Sequence, residues 1–338
     1  MAPRAFISGL SGLTLTADER AFLREARPWG LILFKRNIQD KIQVVDLLDE
    51  ALHELGGEAP VLVDQEGGRV QRLGPPHWAA YPPGAAYGRI YDRDPDAGLA
   101  AARLGARLIA ADLIELGINV DCLPLADVPV AGADRVIGDR AYGETPAKVA
   151  AIAGAVAEGL AEGGVLPVLK HIPGHGRANA DSHLKLPVVH ADRATLEATD
   201  FAAFRPLKRL PLAMTAHVVF TAIDPVRPAT TSATMIGEVI RGFIGFDGLL
   251  MGDDISMGAL SGSIAERARA SLAAGCDLVL HCNGKMDEMR AVAAEAPELA
   301  GDGKRRAEAA LAVRKSPSGI DLAAARREFA AMMTERMA

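Results

Sequence analysis

Short apolar runs rich in aliphatic and β-branched residues recur along the chain, and longer stretches with helical spacing separate them. The runs are "AFISG" (5–9), "GLILF" (30–34), "PVLVD" (60–64), "NVDCLP" (119–124), "VLPVLK" (165–170), "LAMTAH" (212–217), "GLLMGD" (248–253) and "DLVLHC" (277–282). Several intervening helices announce their starts. Thr16 with Glu19 forms a capping box, and Asp94-Pro95 and Thr145-Pro146 each read as an N-cap followed by proline at the first helical position. Strand followed by helix, repeated, means a parallel sheet. Eight such strands with no Gly-Ser linker, internal repeat or low-complexity tract favour one closed (β/α)8 TIM barrel over an open doubly wound sheet. The expectation is a single α/β domain over 1–338, with Ala-rich helix from about 285 onward packed on the barrel.

This architecture makes a demand on the polar residues, because active sites in such barrels gather at the C-terminal ends of the strands. Asp64 closes "PVLVD", Lys170 and His171 close the fifth run, His217 closes "LAMTAH" and Asp253 closes "GLLMGD". A random scatter would not favour strand ends so consistently.

Composition narrows the function classes. With 49% hydrophobic and 24% charged residues the chain is globular, and a net charge of -6 offers no basic stripe to follow a phosphate backbone. Nucleic acid is not an expected partner. The N-terminal stretch carries one arginine and a short apolar run broken by Gly and Ser, so no signal peptide is expected. No stretch of 18 apolar residues runs uncharged, which argues against a membrane span. The three cysteines have no CxxC spacing, so neither a disulfide nor a zinc framework is expected. These features place the protein in the cytoplasm; a monomer with no cofactor and no metal is the further expectation.

Three segments carry chemistry. In "DQEGGRVQR" (64–72) a strand-end carboxylate precedes a Gly-Gly turn and two arginines, a set able to grip vicinal hydroxyls or to form an ordinary polar turn with a surface ion pair. In "RVIGDRAYG" (135–143), Arg140 reads on spacing alone as a solvated loop arginine. The densest segment is "KHIPGHGRANADSH" (170–183). His171 and His175 stand four apart, the spacing of two metal ligands on a helix, but Pro173, Gly174 and Gly176 make a helix there improbable. A metal site would then need Asp181 or His183 brought in by the loop, and a plain turn with surface histidines is a further reading. Proton transfer is the third: Asp181 can bind one ring nitrogen of His183, fix its tautomer and leave the other nitrogen free. Small residues in the loop would let it close over a ligand. "GLLMGDDISMGAL" adds Asp253 and Asp254, which point to opposite faces in an extended segment, so one serves the site while the other caps a turn.

Taken together, "DQEGGRVQRL", "VIGDRAYG", "KHIPGHGRANADSH", "TAHVVF" and "GFDGLLMGDDISM" resemble, in order and spacing, glycoside hydrolase family 3, and within it the NagZ-type β-N-acetylglucosaminidases of peptidoglycan recycling. The resemblance spans about residues 28–283. It implies a single-domain barrel and retaining, two-step hydrolysis of a terminal β-linked N-acetylglucosamine, with Asp253 as nucleophile, His183 as acid/base and Asp181 orienting it. It places Asp64, Arg72, Arg140, Lys170 and His171 around the sugar and leaves His175 to shape the loop. The chain departs from the pattern at Gly252, where serine is frequent, at Ile172, where phenylalanine is, and in "MGAL", where "MEGA" is common. Rival readings are a family 3 β-glucosidase or β-N-acetylglucosaminide phosphorylase, a metal-dependent barrel hydrolase, and a non-catalytic sugar-binding barrel.

Overall fold

In the computed structural model, which describes residues 2–335, all eight apolar runs form strands of one parallel sheet: β1 (Arg4–Gly9), β2 (Pro28–Leu33), β3 (Val61–Val63), β4 (Val120–Asp121), β5 (Leu166–Ile172), β6 (Leu212–Thr215), β7 (Leu249–Met251) and β8 (Val279–His281). Neighbours in sequence are neighbours in space, and β8 pairs with β1. The ring closes where Met251 pairs with Leu278 and the Gly252 and Ile255 amides donate to the Leu278 and Leu280 carbonyls at 3.1 and 3.0 Å. The result is the (β/α)8 barrel read from the pattern.

The strands read as unbroken apolar runs because both faces are covered. Ile7, Ile32, Leu62, Leu212, Met214, Met251 and Leu280 point inward and fill the barrel. Their sequence neighbours Phe6, Leu31, Val61, Val63, Ala213, Leu250 and Val279 point outward, and there Leu47, Leu48, Leu113, Ile152 and Val156 of the surrounding helices cover them. Period-2 alternation is therefore present, but as two apolar sets instead of an apolar and a polar one.

Helix starts follow the sequence. Around Ala17–Ala26 the Glu19 amide donates to Thr16 Oγ1 at 3.1 Å while Glu19 Oε2 accepts from the Thr16 amide at 2.9 Å, completing the capping box. Asp94 caps the helix Pro95–Ile114 through the Ala97 amide. Thr145 occupies the N-cap of Pro146–Glu162 but its side chain makes no capping bond.

The stretch after 285 is three helices: Met286–Glu295, Gly301–Ala312 and Leu322–Glu335. The second plugs the N-terminal mouth of the barrel, where Leu299, Ala307 and Ala310 join the interior cluster with Trp29. The third lays Phe329 against Tyr81 and Tyr87, and Arg326 donates to buried Asp112 at 2.7 Å. With one mouth plugged, only the C-terminal ends of the strands remain open to a ligand. Among the described residues no helix is long and apolar enough to cross a membrane, and all three cysteines are buried and free.

Candidate active site

At that open end lies a cavity of about 250 Å³, lined among others by Asp64, Arg72, Arg140, Lys170, His171, His175, Asp181, His183 and Asp253. Every residue that the sequence singled out for chemistry lines it except His217. Its apolar side includes Ile32, Phe34, Met214, Met257 and Leu280.

One wall is a network of buried charges. Asp64, immediately past β3, accepts from Arg72 Nη2 at 2.8 Å and from Lys170 Nζ at 2.9 Å. Lys170, on β5 and 1% exposed, also meets Glu66 at 2.6 Å. Glu66 in turn grips Arg140 with both oxygens, each at 2.8 Å. Arg140 is therefore no solvated loop arginine, as its spacing alone had suggested. Its side chain is 10% exposed because the bidentate fork satisfies it inside the protein. Burial would raise the Asp64 carboxyl, but Lys170 and Arg72 more than offset that and hold it below the usual carboxylate range. Burial likewise opposes the charge on Lys170, and Asp64 and Glu66 overcome it, so the ammonium stays protonated. Beneath this wall, Asp121 accepts from the Gln65 amide at 3.0 Å, while its second oxygen has no partner among the described residues. Burial drives its pKa well above the usual carboxylate value.

A second wall is built from "KHIPGHG". No helix forms there: β5 runs to Ile172 and a turn follows, so His171 and His175 are not stacked as helical ligands. His171 Nδ1 lies 2.7 Å from Asp127 Oδ2, and Asp127 Oδ1 also accepts from the His175 amide at 2.6 Å. His171 and His175 are buried, so the reading of surface histidines fails for both. The loop's start is also less free than its glycines suggested. A Cβ on Gly176 would collide with the Val128 carbonyl, so glycine is there for close approach, while Gly174 holds φ +140°.

At the loop's far end, Asp181 Oδ1 accepts from the His183 amide at 2.9 Å and sits 2.8 Å from His183 Nδ1. The dyad expected from the two-residue spacing is formed, with Nε2 of an exposed His183 left free at the rim. The Ser182 and His183 carbonyls accept from the Ala259 and Gly258 amides at 3.1 and 3.2 Å. Gly258, the first residue of the departure "GAL", is what permits this, since a Cβ there would lie 2.9 Å from both the His183 and Leu184 oxygens.

The paired aspartates divide as the alternation requires. Asp254 folds back on its own segment, accepting from the Ser256 amide at 3.0 Å, the Ser256 hydroxyl at 2.6 Å and the Cys282 amide at 3.2 Å. Asp253 accepts one bond, from the Asp254 amide at 2.8 Å, and lines the cavity. Burial raises its pKa, but His217, His171 and that amide outweigh it, so Asp253 stays ionised below the usual range. Beside it, His217 Nε2 donates to the Asp254 carbonyl at 3.0 Å, and Nδ1 lies 2.7 Å from Thr230 Oγ1. Burial depresses its pKa, so it is neutral and braces the aspartate segment. A Cβ at Gly252, where the resemblance has serine, would lie 4.0 Å from the Ser271 hydroxyl, which is buried with no partner among the described residues.

A carboxylate held ionised beside a charged wall, with an Asp–His pair free to exchange a proton at the rim, can perform nucleophilic substitution with acid/base assistance. Sequence reasoning missed Glu66 and Asp127. Glu66 stands two residues beyond Asp64 in an extended segment, and Asp127 lies in "LPLADVPV", a carboxylate inside an apolar run. Spacing in the first and incongruity in the second were the available signals.

Known proteins resemble this chain in sequence and in fold. Residues 8–312 match the family described as glycosyl hydrolase family 3 N terminal domain. A protein of Alkalilimnicola ehrlichii named Beta-hexosaminidase is 43% identical over 281 residues, 81% of this chain and 79% of that protein. One of Aromatoleum aromaticum with the same name is 37% identical, over 92% of this chain and 87% of its own length. Among solved structures, NagZ from Neisseria gonorrhoeae in complex with N-trifluoroacetyl-D-glucosamine superposes with a TM-score of 0.86 at 33% identity, covering 99% of this chain and 98% of that one. Family model, relatives and fold agree: the chain is a member of glycoside hydrolase family 3.

Proposed function

We propose that the protein is a retaining β-N-acetylhexosaminidase that removes single, terminal, non-reducing β-linked N-acetylglucosamine units. The observation that carries this reading is the pairing of an ionised Asp253 in the cavity with the Asp181–His183 dyad at its rim. The cavity's volume of about 250 Å³ is at the small end for a ligand site, which suits one sugar ring and hence an exo-acting enzyme. Relatives named Beta-hexosaminidase and a neighbour holding a glucosamine derivative support the sugar class.

In this mechanism Asp253 attacks the anomeric carbon while protonated His183 gives its Nε2 proton to the departing oxygen, and a covalent glycosyl-enzyme forms. Neutral His183 then takes a proton from water, which displaces Asp253 and restores the original configuration. Retaining glycosidases ordinarily use a second carboxylic acid for that proton, and the Asp–His dyad replaces it. Asp64, Arg72, Lys170, Arg140 and His171 hold the sugar's polar groups. A muropeptide fragment, N-acetylglucosaminyl-β-1,4-anhydro-N-acetylmuramic acid, met in the cytoplasm by a monomeric enzyme, is the natural substrate this reading favours. It rests on the resemblance to NagZ.

The test is incubation with the para-nitrophenyl β-glycosides of N-acetylglucosamine and of glucose, with and without inorganic phosphate. Rapid release from the first alone, unaffected by phosphate, is expected. Preference for the glucoside would overturn the sugar assignment, and a rate that needs phosphate would mean phosphorolysis. His183→Ala is expected to lower kcat/KM on an N-acetylglucosamine disaccharide by roughly 10²- to 10⁴-fold, the usual reach of acid/base assistance. A dinitrophenyl glycoside, whose leaving group needs no proton, should lose far less, and equal losses would remove His183 from the acid role.

A further inference from the structure

One side chain in the cavity wall has no part in the mechanism above. His175 is 4% exposed, sits edge-on to His171 with ring centroids 5.8 Å apart, and donates its amide to Asp127. Its Nε2 lies 3.1 Å from Ser182 Oγ, while its Nδ1 is buried without a partner. Burial, reinforced by His171, lowers its pKa to about 4, so the ring is neutral at pH 7 and carries one donor and one acceptor. A side chain present only to fill space would be apolar, since burying an orphan nitrogen is a cost that leucine avoids.

What the polar ring accomplishes follows from where its two ends are attached. Its backbone is fixed to the barrel, by Asp127 and by the close approach of Gly176 to Val128. Its ring reaches seven residues along the loop to Ser182, and Ser182 lies directly between Asp181 and His183. The loop's other supports at this point are backbone bonds from Gly258 and Ala259, which fix the carbonyls but hold no side chain. His183 is exposed, and among the described residues its side chain makes no hydrogen bond besides the one to Asp181.

We propose that His175, through its hydrogen bond to Ser182, is a positioning residue that latches the Asp181–His183 dyad over the cavity and so sets the reach of the proton donor. The latch rests on the reading of His183 as acid/base. It transmits position and transfers no proton, so its loss falls on the step that needs a proton delivered. Steps that need none are spared.

The experiment compares kcat/KM on N-acetylglucosaminyl-β-1,4-N-acetylglucosamine, whose leaving group must be protonated, with that on 2,4-dinitrophenyl β-N-acetylglucosaminide, whose leaving group need not be. Ser182→Ala and His175→Ala should each lower the disaccharide value by about tenfold, the worth of one well-placed hydrogen bond, and the dinitrophenyl value by no more than about twofold. The double variant should be no worse than the worse single one, because both remove the same bond. His175→Gln, whose amide can stand where Nε2 stands, should recover most of the disaccharide rate. Equal losses on both substrates, additive losses in the double variant, or a Gln variant no better than Ala would each overturn the latch. His183→Ala in the same series separates the two readings. If it shows the leaving-group split and Ser182→Ala does not, the latch alone is wrong; if it shows no split, the acid role falls and the latch with it. Melting temperatures are read alongside, and Ser182→Ala carries the test should His175→Ala fail to accumulate.

Discussion

Replacing Asp253 by alanine is expected to lower kcat on the order of a millionfold, the scale seen when a covalent nucleophile is removed, with the melting temperature within a few degrees of the parent. The second half of that expectation comes from the structure. The Asp253 side chain accepts one hydrogen bond, from its neighbour's amide, and holds no other element in place. Turnover is measured with an aryl glycoside, and azide is then added. A small anion entering the space left by the carboxylate should attack the anomeric carbon, restore part of the rate and yield the glycosyl azide of inverted configuration. An alanine variant with more than about a hundredth of the parent rate and no azide response would mean another group attacks, since loss of a displaceable nucleophile should be near-complete. A pH profile follows from the same carboxylate. Its pKa lies below the usual range, so the nucleophile is ionised above that value and lost as pH falls through it. The acid limb of kcat/KM should therefore lie below about pH 4, the ordinary aspartate value.

Much of this fold was legible because burial on both sides of a parallel strand leaves a short apolar run, which its length and flanking residues separate from a buried helix. The runs at 5–9, 60–64 and 277–282 lie within a residue or two of the observed strands, and the capping box at Thr16 begins its helix as the pattern required. Strand-end chemistry was equally legible, since Asp64, Lys170, His171 and Asp253 all reach one cavity. What sequence alone could not supply was partnership across distance. Lys170 and Asp64 are 106 residues apart, and Arg140 and Glu66 are 74 apart. No local pattern announces such pairs. Arg140 therefore read as solvated when it is buried, and Asp127, which aligns His171 and anchors His175, went unnoticed inside an apolar run. The loop glycines misled in a related way. Gly176 and Gly258 are places where two pieces of backbone touch, and which pieces they are depends on the closed barrel. The Asp181–His183 hydrogen bond, by contrast, was local: it needed only the two-residue spacing.

Glu66 shows how far an unnoticed partner can matter. Its carboxylate, with side-chain exposure of 4%, lies between two buried cations, Lys170 at 2.6 Å and Arg140 at 2.8 Å. Burial alone would raise its pKa, and those cations more than compensate, so it is ionised. Glu66→Ala strips the Arg140 fork of both its acceptors and leaves Lys170 with Asp64 alone. Breaking a buried pair from one side costs about 3–5 kcal/mol, because the remaining charge stays desolvated. For a chain of this size that corresponds to a fall in melting temperature on the order of 10 °C, read by calorimetry. Glu66→Gln keeps the shape and one acceptor oxygen, so it should fall by about half as much. Activity supplies the sharper discrimination. Assayed well below the melting temperature, Glu66→Gln should still raise KM, since Lys170 and Arg140 would no longer be held in the positions from which, on the proposed function, they bind the sugar. A Gln variant with parent KM and a lowered melting temperature would make Glu66 a support of the fold alone. A raised KM at full folding would place it in the sugar site's design, although it donates nothing to the sugar itself.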